Sequence, residues 1–207
     1  MEKDVINKIL IISIGLTIAG FLLLLFNGIN MLEMNGIRRL SLLFTVIPIF
    51  WAFYFKYGWK WPVLKCILYK ENLTGAWLGV YQSVDVLNDK TYEGEIVVNI
   101  EQSFLNMTIT SFTNKYISFS YGEVIMLDPK SERTRLVYLY SQNQFDPTDV
   151  SARKGTSELY LLKEQDKERL FGDFWTNHNS KGKLDLYKIA SYNVHSLDAA
   201  KQIVNEK

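Results

Sequence analysis

From the residue after Lys8 to Phe26 the chain carries no charge, and its core reads ILIISIGLTIAGFLLLLF. With the residues just before it, this run reaches the roughly 20 that a membrane-spanning helix needs. Lipid offers no partner to backbone N–H and C=O groups, so such a segment can only be a helix. A secretory signal would have an apolar region of ~7–15 residues and a small-residue cleavage site behind it. Here the run is longer and is followed by FNGINML. We read it as an anchor.

A second apolar segment, Leu40–Phe55 (LSLLFTVIPIFWAFYF), continues as KYGWKW. It is short for a span, yet Trp51, Phe53, Tyr54, Phe55, Tyr57, Trp59 and Trp61 have the make-up of an interfacial aromatic belt. We read a second spanning helix, kinked at Pro48, the alternative being a buried core helix. Lys3 and Lys8 before the first span and Lys56, Lys60, Lys65 and Lys70 after the second outnumber Arg38 and Arg39 in the linker Asn27–Arg39. Basic flanks stay inside, which puts both termini in the cytoplasm and makes the chain a multi-pass membrane protein. Gly15 and Ala19 form a small-xxx-small pair on the first span, the expected oligomerisation face.

Residues 1–72 carry a net +4 while the whole 207-residue chain carries +1. Positive charge is gathered where it meets lipid headgroups, and no global field calls for DNA or RNA. The single cysteine, Cys66, forms no intrachain disulfide.

At Leu73 the pattern changes. In LTGAWLGVYQS, strand alternation puts Gly75, Trp77, Gly79 and Tyr81 on one face, and two glycines between two large rings suit a strand that bends hard. Seven more period-two runs follow: 94–102, 105–113, 116–127, 133–141, 157–163, 168–177 and 182–190. Between them stand the turn signals Asn88-Asp89, Asn114-Lys115, Asp128-Pro129, Asp146-Pro147 and Asn179–Gly182. Eight short strands in meander order most simply close on themselves. The expected fold is therefore membrane plus all-β: two N-terminal transmembrane helices, then an eight-stranded antiparallel up-and-down β-barrel. The expected domains are the anchor at 1–68, the barrel at 69–192, and a tail at 193–207. In that tail a short helix after Ser196 carries Leu197, Ala200 and Val204 on one side and is expected to pack weakly or fray.

Catalytic groupings are scarce. The two histidines, His178 and His195, have no carboxylate or cysteine at ligand spacing, and there is no phosphate loop, GxSxG or GxGxxG. No metal, no cofactor and no enzymatic activity are expected. Binding remains. Tyr81, Tyr138, Tyr140 and Trp175 are candidate stacking surfaces, because every nucleobase has a face to stack. Arg135, on the strand RTRLVYLY, could fork onto phosphate oxygens. Arg153 and Lys154, placed in a loop after Asp149, could cap a phosphate at the barrel mouth.

Two spans, a short linker and a barrel opening with Gly75-x-Trp77-x-Gly79-x-Tyr81 resemble the two-transmembrane, β-strand-rich effectors of CBASS, the bacterial cyclic-oligonucleotide antiphage system. The segment Leu170-x-Gly172-x-Phe174-Trp175-Thr176 adds looser support. The resemblance implies that the barrel binds a cyclic dinucleotide in the cytoplasm. It further implies homo-oligomerisation through the membrane helices and disruption of the lipid bilayer of the inner membrane, an abortive infection. The rival readings are a membrane-tethered lipocalin-like binder of an apolar small molecule, and an enzyme of unnamed chemistry on a small barrel.

Overall fold

A computed structural model describes residues 3–26, 34–127, 133–144, 153–164 and 167–206. The turn signals Asp128-Pro129 and Asp146-Pro147 and most of the linker after Asn27 lie outside the described residues. The chain forms two compact units, one of residues 1–70 with Ser103–Leu105, the other of 71–102 with 106–207.

The first unit is helical. Helix α1 (Lys3–Phe26) rises ~1.5 Å per residue, enough to cross a hydrocarbon core ~30 Å thick. Its segment Val5–Phe26 has a mean hydropathy of 2.8, and most of its large side chains are exposed. Helix α2 (Met34–Lys56) differs from the expected second span. Arg38 and Arg39 lie inside it and not in the linker, which leaves only Phe44–Lys56 as a shorter apolar stretch. Among the described residues, α1 alone is long and apolar enough to cross a membrane. Pro48 sits within α2 without ending it.

The expected aromatic belt is split. Trp51, Tyr54 and Trp59 are buried with Leu68 and Phe104, whereas Tyr57 and Trp61 are exposed. Trp51 Nε1 donates to Ser13 Oγ at 2.9 Å and so joins α2 to α1. Val5, Ile9 and Ile12 complete that contact side. Gly15 and Ala19 are exposed, and a Cβ added at Gly15 would meet nothing within 4 Å.

The second unit is a closed antiparallel barrel in plain sequence order. Its strands are β1 (Gly75–Asp85), β2 (Lys90–Gln102), β3 (Met107–Phe112), β4 (Tyr116–Leu127), β5 (Thr134–Gln144), β6 (Arg153–Glu164), β7 (Lys167–Thr176) and β8 (Ser180–Ala190). β1 pairs with β2 on one side and with β8 on the other, so no free first or last edge remains. The bend expected in β1 is present: Gly75 has φ 130°, and the register to β8 shifts between Ala76 and Trp77. Two hairpin turns place Asp89 and Asn179 at positive φ, which short polar side chains tolerate best. β3 is shorter than expected, because Ser103–Leu105 belong to the helical unit.

Alternation sends one set of side chains into the barrel, and that interior is divided along its length. Trp77, Ile100, Leu136, Leu159, Leu170 and Leu186 are almost wholly buried and fill the half nearest the start of β1. Each such side chain contributes about 1.5–3 kcal/mol by leaving water. Trp77 Nε1 donates to Leu73 O, and Gln102 bonds both Leu73 N and Glu71 O, which fixes the entry into β1.

The tail departs from its expectation. Helix α3 (Leu197–Asn205) is capped by Ser196, whose Oγ accepts from Ala199 N. It does not fray: Leu197 and Ala200 are buried on the outside of the barrel against Ala76, Val97, Ile189 and Val194. Ile203 takes the packing position expected of Val204, which is exposed.

Candidate ligand cavity at one mouth of the barrel

The other half of the interior is open. A cavity of about 770 Å³ lies where β1, β3, β5 and β7 end and β2, β4, β6 and β8 begin. Ligand sites usually span ~300–1,000 Å³. Five tyrosines (Tyr81, Tyr92, Tyr116, Tyr138, Tyr140) and five serines (Ser83, Ser111, Ser118, Ser157, Ser180) line it, with Phe174. The wall is therefore rich in both flat rings and hydrogen-bonding hydroxyls.

Two of the rings are close neighbours. Tyr138 and Tyr140 lie 5.8 Å apart at 44°. Burial pushes the Tyr138 phenol up, opposed in part by a hydrogen bond with Ser157. Burial also raises Tyr140, with Tyr138 adding to it, and burial followed by the nearby Tyr116 raises Tyr81. At neutral pH these phenols keep their protons and can donate to an anionic oxygen.

Positive charge enters from β6. Arg153 stands opposite Gln142 in the β5–β6 ladder, and both line the cavity. Its Nη1 donates to Tyr116 Oη at 2.6 Å, and its guanidinium lies 4.9 Å from the Tyr116 ring centre. Lys115 borders the mouth from the β3–β4 turn. Of the bordering carboxylates Asp85, Glu93 and Glu95, the first and the last are engaged elsewhere. Glu95 pairs with Lys201 on α3, and Asp85 accepts from Leu87 N–H and Asn88 Nδ2 at the rim. Those bonds hold the Asp85 carboxyl below the usual range, the Asn88 amide contributing most. Among the described residues, no three His, Cys, Asp or Glu side chains are grouped to hold a metal ion.

Residues 70–188 match the family model "Cap15, cyclic dinucleotide receptor domain", more than half of the chain. The chain belongs to this family. No curated protein sequence matches it. The matched span begins just before β1 and ends within β8, so the Cap15 receptor domain coincides with the barrel and contains the whole cavity. The family agrees with the resemblance to CBASS effectors and supports a cyclic dinucleotide as ligand.

Within this Cap15 barrel, four of the residues singled out in the sequence meet at the cavity: Tyr81, Tyr138, Tyr140 and Arg153. Three do not. Arg135 alternates with the inward Leu136 and Tyr138, so it points outward, bonds Glu158 at 2.7 Å and lies over Tyr160. Lys154 and Arg153 are in β6 and not in a loop, so consecutive residues face opposite sides and Lys154 is exposed. Trp175 is 46% exposed on the outer wall, and Phe174 before it takes the inward place. Sequence reasoning missed Tyr116, Gln142 and the serines. Gln142 was within reach, since it continues the alternation Leu136, Tyr138, Tyr140.

Proposed function

We propose that a cyclic dinucleotide binds in the mouth cavity and that binding drives the helical unit to self-associate in the inner membrane, disrupting it. The observation that carries this reading is the composition of the cavity wall: five tyrosines, five serines and Arg153 around about 770 Å³, in a chain of a cyclic dinucleotide receptor family. A ligand with two bases and two phosphates asks for such a wall. Aromatic stacking supplies ~1–3 kcal/mol per base. The guanidinium and the protonated phenols supply donors to phosphate oxygens. An apolar carrier would leave this many hydroxyls without partners, so the lipocalin-like alternative fits the wall less well.

The protein in this reading binds its ligand and does not turn it over. The ligand shifts an equilibrium between separate and assembled copies, by the difference in its affinity for the two. The assembled contact is placed on the open face of α1 around Gly15 and Ala19, where backbones can approach closely. α1 spans the bilayer, with both termini and the barrel in the cytoplasm, as the lysine-rich flanks favour. α2 brings its apolar half, Phe44–Lys56, to the same membrane.

The test is thermal unfolding of the full chain in detergent against a panel of cyclic di- and trinucleotides. At a hundredfold excess over Kd a ligand adds ~2.7 kcal/mol, a shift of several degrees. At least one cyclic dinucleotide is expected to raise the midpoint. Flat curves across the panel overturn the reading.

A further inference from the structure

Of the four strand pairs that turn at the cavity mouth, three set an inward aromatic ring directly opposite a glycine. The pairs are Tyr81 with Gly94, Tyr140 with Gly155, and Phe174 with Gly182. The fourth pair at this mouth, β3 with β4, sets Ser111 opposite Ser118. Side chains facing each other across a ladder are close neighbours, and a ring opposite a glycine can lie across the space the missing side chain leaves. A Cβ built at Gly94 would stand 2.8 Å from Tyr81 Cε1 and Oη, and one at Gly182 would stand 2.7 Å from Phe174 Cε1. At Gly155 the approach to Tyr140 is closer still. Each ring thus covers its glycine and lies against the wall. With a side chain beneath it, the ring has only the cavity to move into.

Gly94 separates this cause from backbone strain. It lies outside the left-handed region, and the three atoms nearest its added Cβ all belong to the Tyr81 ring. Gly155 and Gly182 would also press on the carbonyl oxygens of Trp175 and Gln82. Backbone freedom does not require a glycine at position 94, whereas the seat of the Tyr81 ring does.

We propose that Gly94 is a specificity-determining residue: by seating Tyr81 against the wall it keeps the bore wide enough for a ligand with two nucleobases. The proposal rests on the reading that a cyclic dinucleotide occupies the cavity. A methyl at this position tilts Tyr81 inward and narrows the bore, excluding a two-base ligand before a one-base ligand. Gly94 is a positioning residue, acting through Tyr81.

The experiment compares the full-length parent with Gly94→Ala in detergent, titrated with the cyclic dinucleotide that stabilises the parent best and with a cyclic mononucleotide of the same base. Dinucleotide affinity is expected to fall at least tenfold, and mononucleotide affinity to stay within threefold. Equal losses for both ligands, or none for either, overturn the proposal. Tyr81→Ala and Tyr81→Ala/Gly94→Ala form the second arm, which remains informative if Gly94→Ala alone does not fold. With no ring to displace, the two are expected to bind the dinucleotide equally, and a further tenfold loss in the double variant overturns the proposal. Absence of binding by the parent sinks this proposal and the reading beneath it together. Binding by the parent with unchanged binding by Gly94→Ala sinks the proposal alone.

Discussion

Replacing Arg153 with Ala takes a guanidinium off the inner wall of the cavity. The side chain is already oriented there, bonded to Tyr116 Oη at 2.6 Å and lying over the same ring. It therefore gives up little freedom when an anion arrives. A hydrogen bond to a charged group is worth about 1.5–3 kcal/mol net. At 1.4 kcal/mol per tenfold, the affinity for a cyclic dinucleotide should fall by roughly 10- to 150-fold. The contact is ionic, so raising the salt should weaken the parent and leave the variant less affected. Lys154→Ala and Arg135→Ala serve as controls, because Lys154 is exposed on the opposite side of β6 and Arg135 is occupied by Glu158 on the outer wall. Both should bind within twofold of the parent. Isothermal titration of the full-length protein in detergent, at two salt concentrations, measures all of this. Binding by Arg153→Ala at parental strength, or a loss in Lys154→Ala equal to that in Arg153→Ala, would refute the placement of the phosphate.

Three other outcomes are expected. Gly15→Leu should abolish ligand-driven toxicity in cells while leaving barrel affinity and helix content unchanged, since the added side chain enters open space in the single chain; persistent toxicity would move the assembly face elsewhere. Leu186→Ala, at a position with no exposure, should cost about 2–5 kcal/mol in denaturant titrations, and Leu127→Ala, at 65% exposure, under about 0.5 kcal/mol. The raised phenols of Tyr138 and Tyr140 mean that the folded barrel holds protons which the unfolded chain releases near pH 10. Stability should therefore hold below pH 10 and fall as pH rises above it, followed by tyrosinate absorbance and denaturant midpoints; a midpoint constant to pH 11 would contradict the burial.

The barrel was legible because period two is a strong and local signal. All eight strands lie where alternation put them, and the bend at Gly75–Trp77 follows from two glycines beside two rings. The cavity was legible only in part. Tyr81 follows from parity along β1, and Tyr138 and Tyr140 from parity along β5. The segment before Ser157 lacks the apolar alternation that marks the other strands, so Arg153 and Lys154 read as loop residues. A one-residue step then decides which of two adjacent cations faces the ligand, and only the ladder register settles it. Arg135 and Trp175 have the right chemistry for a ligand, but their parity turns them outward. The packing of α3 depends on apolar positions on the outside of the barrel at Ala76 and Val97, which no local pattern assigns to a partner. On the helical side, the charges of Arg38 and Arg39 mark a break between apolar segments, whereas helical propensity carries α2 straight through them.

The leucine-filled half of the barrel makes the cavity a cul-de-sac. Leu136, Leu159, Leu170, Leu186 and Trp77 plug its far end, so a solute leaves by the way it came in. The sheet is then a receptacle and not a conduit, and no ion path runs down its axis. In the proposed reading, the membrane lesion therefore falls to the helices.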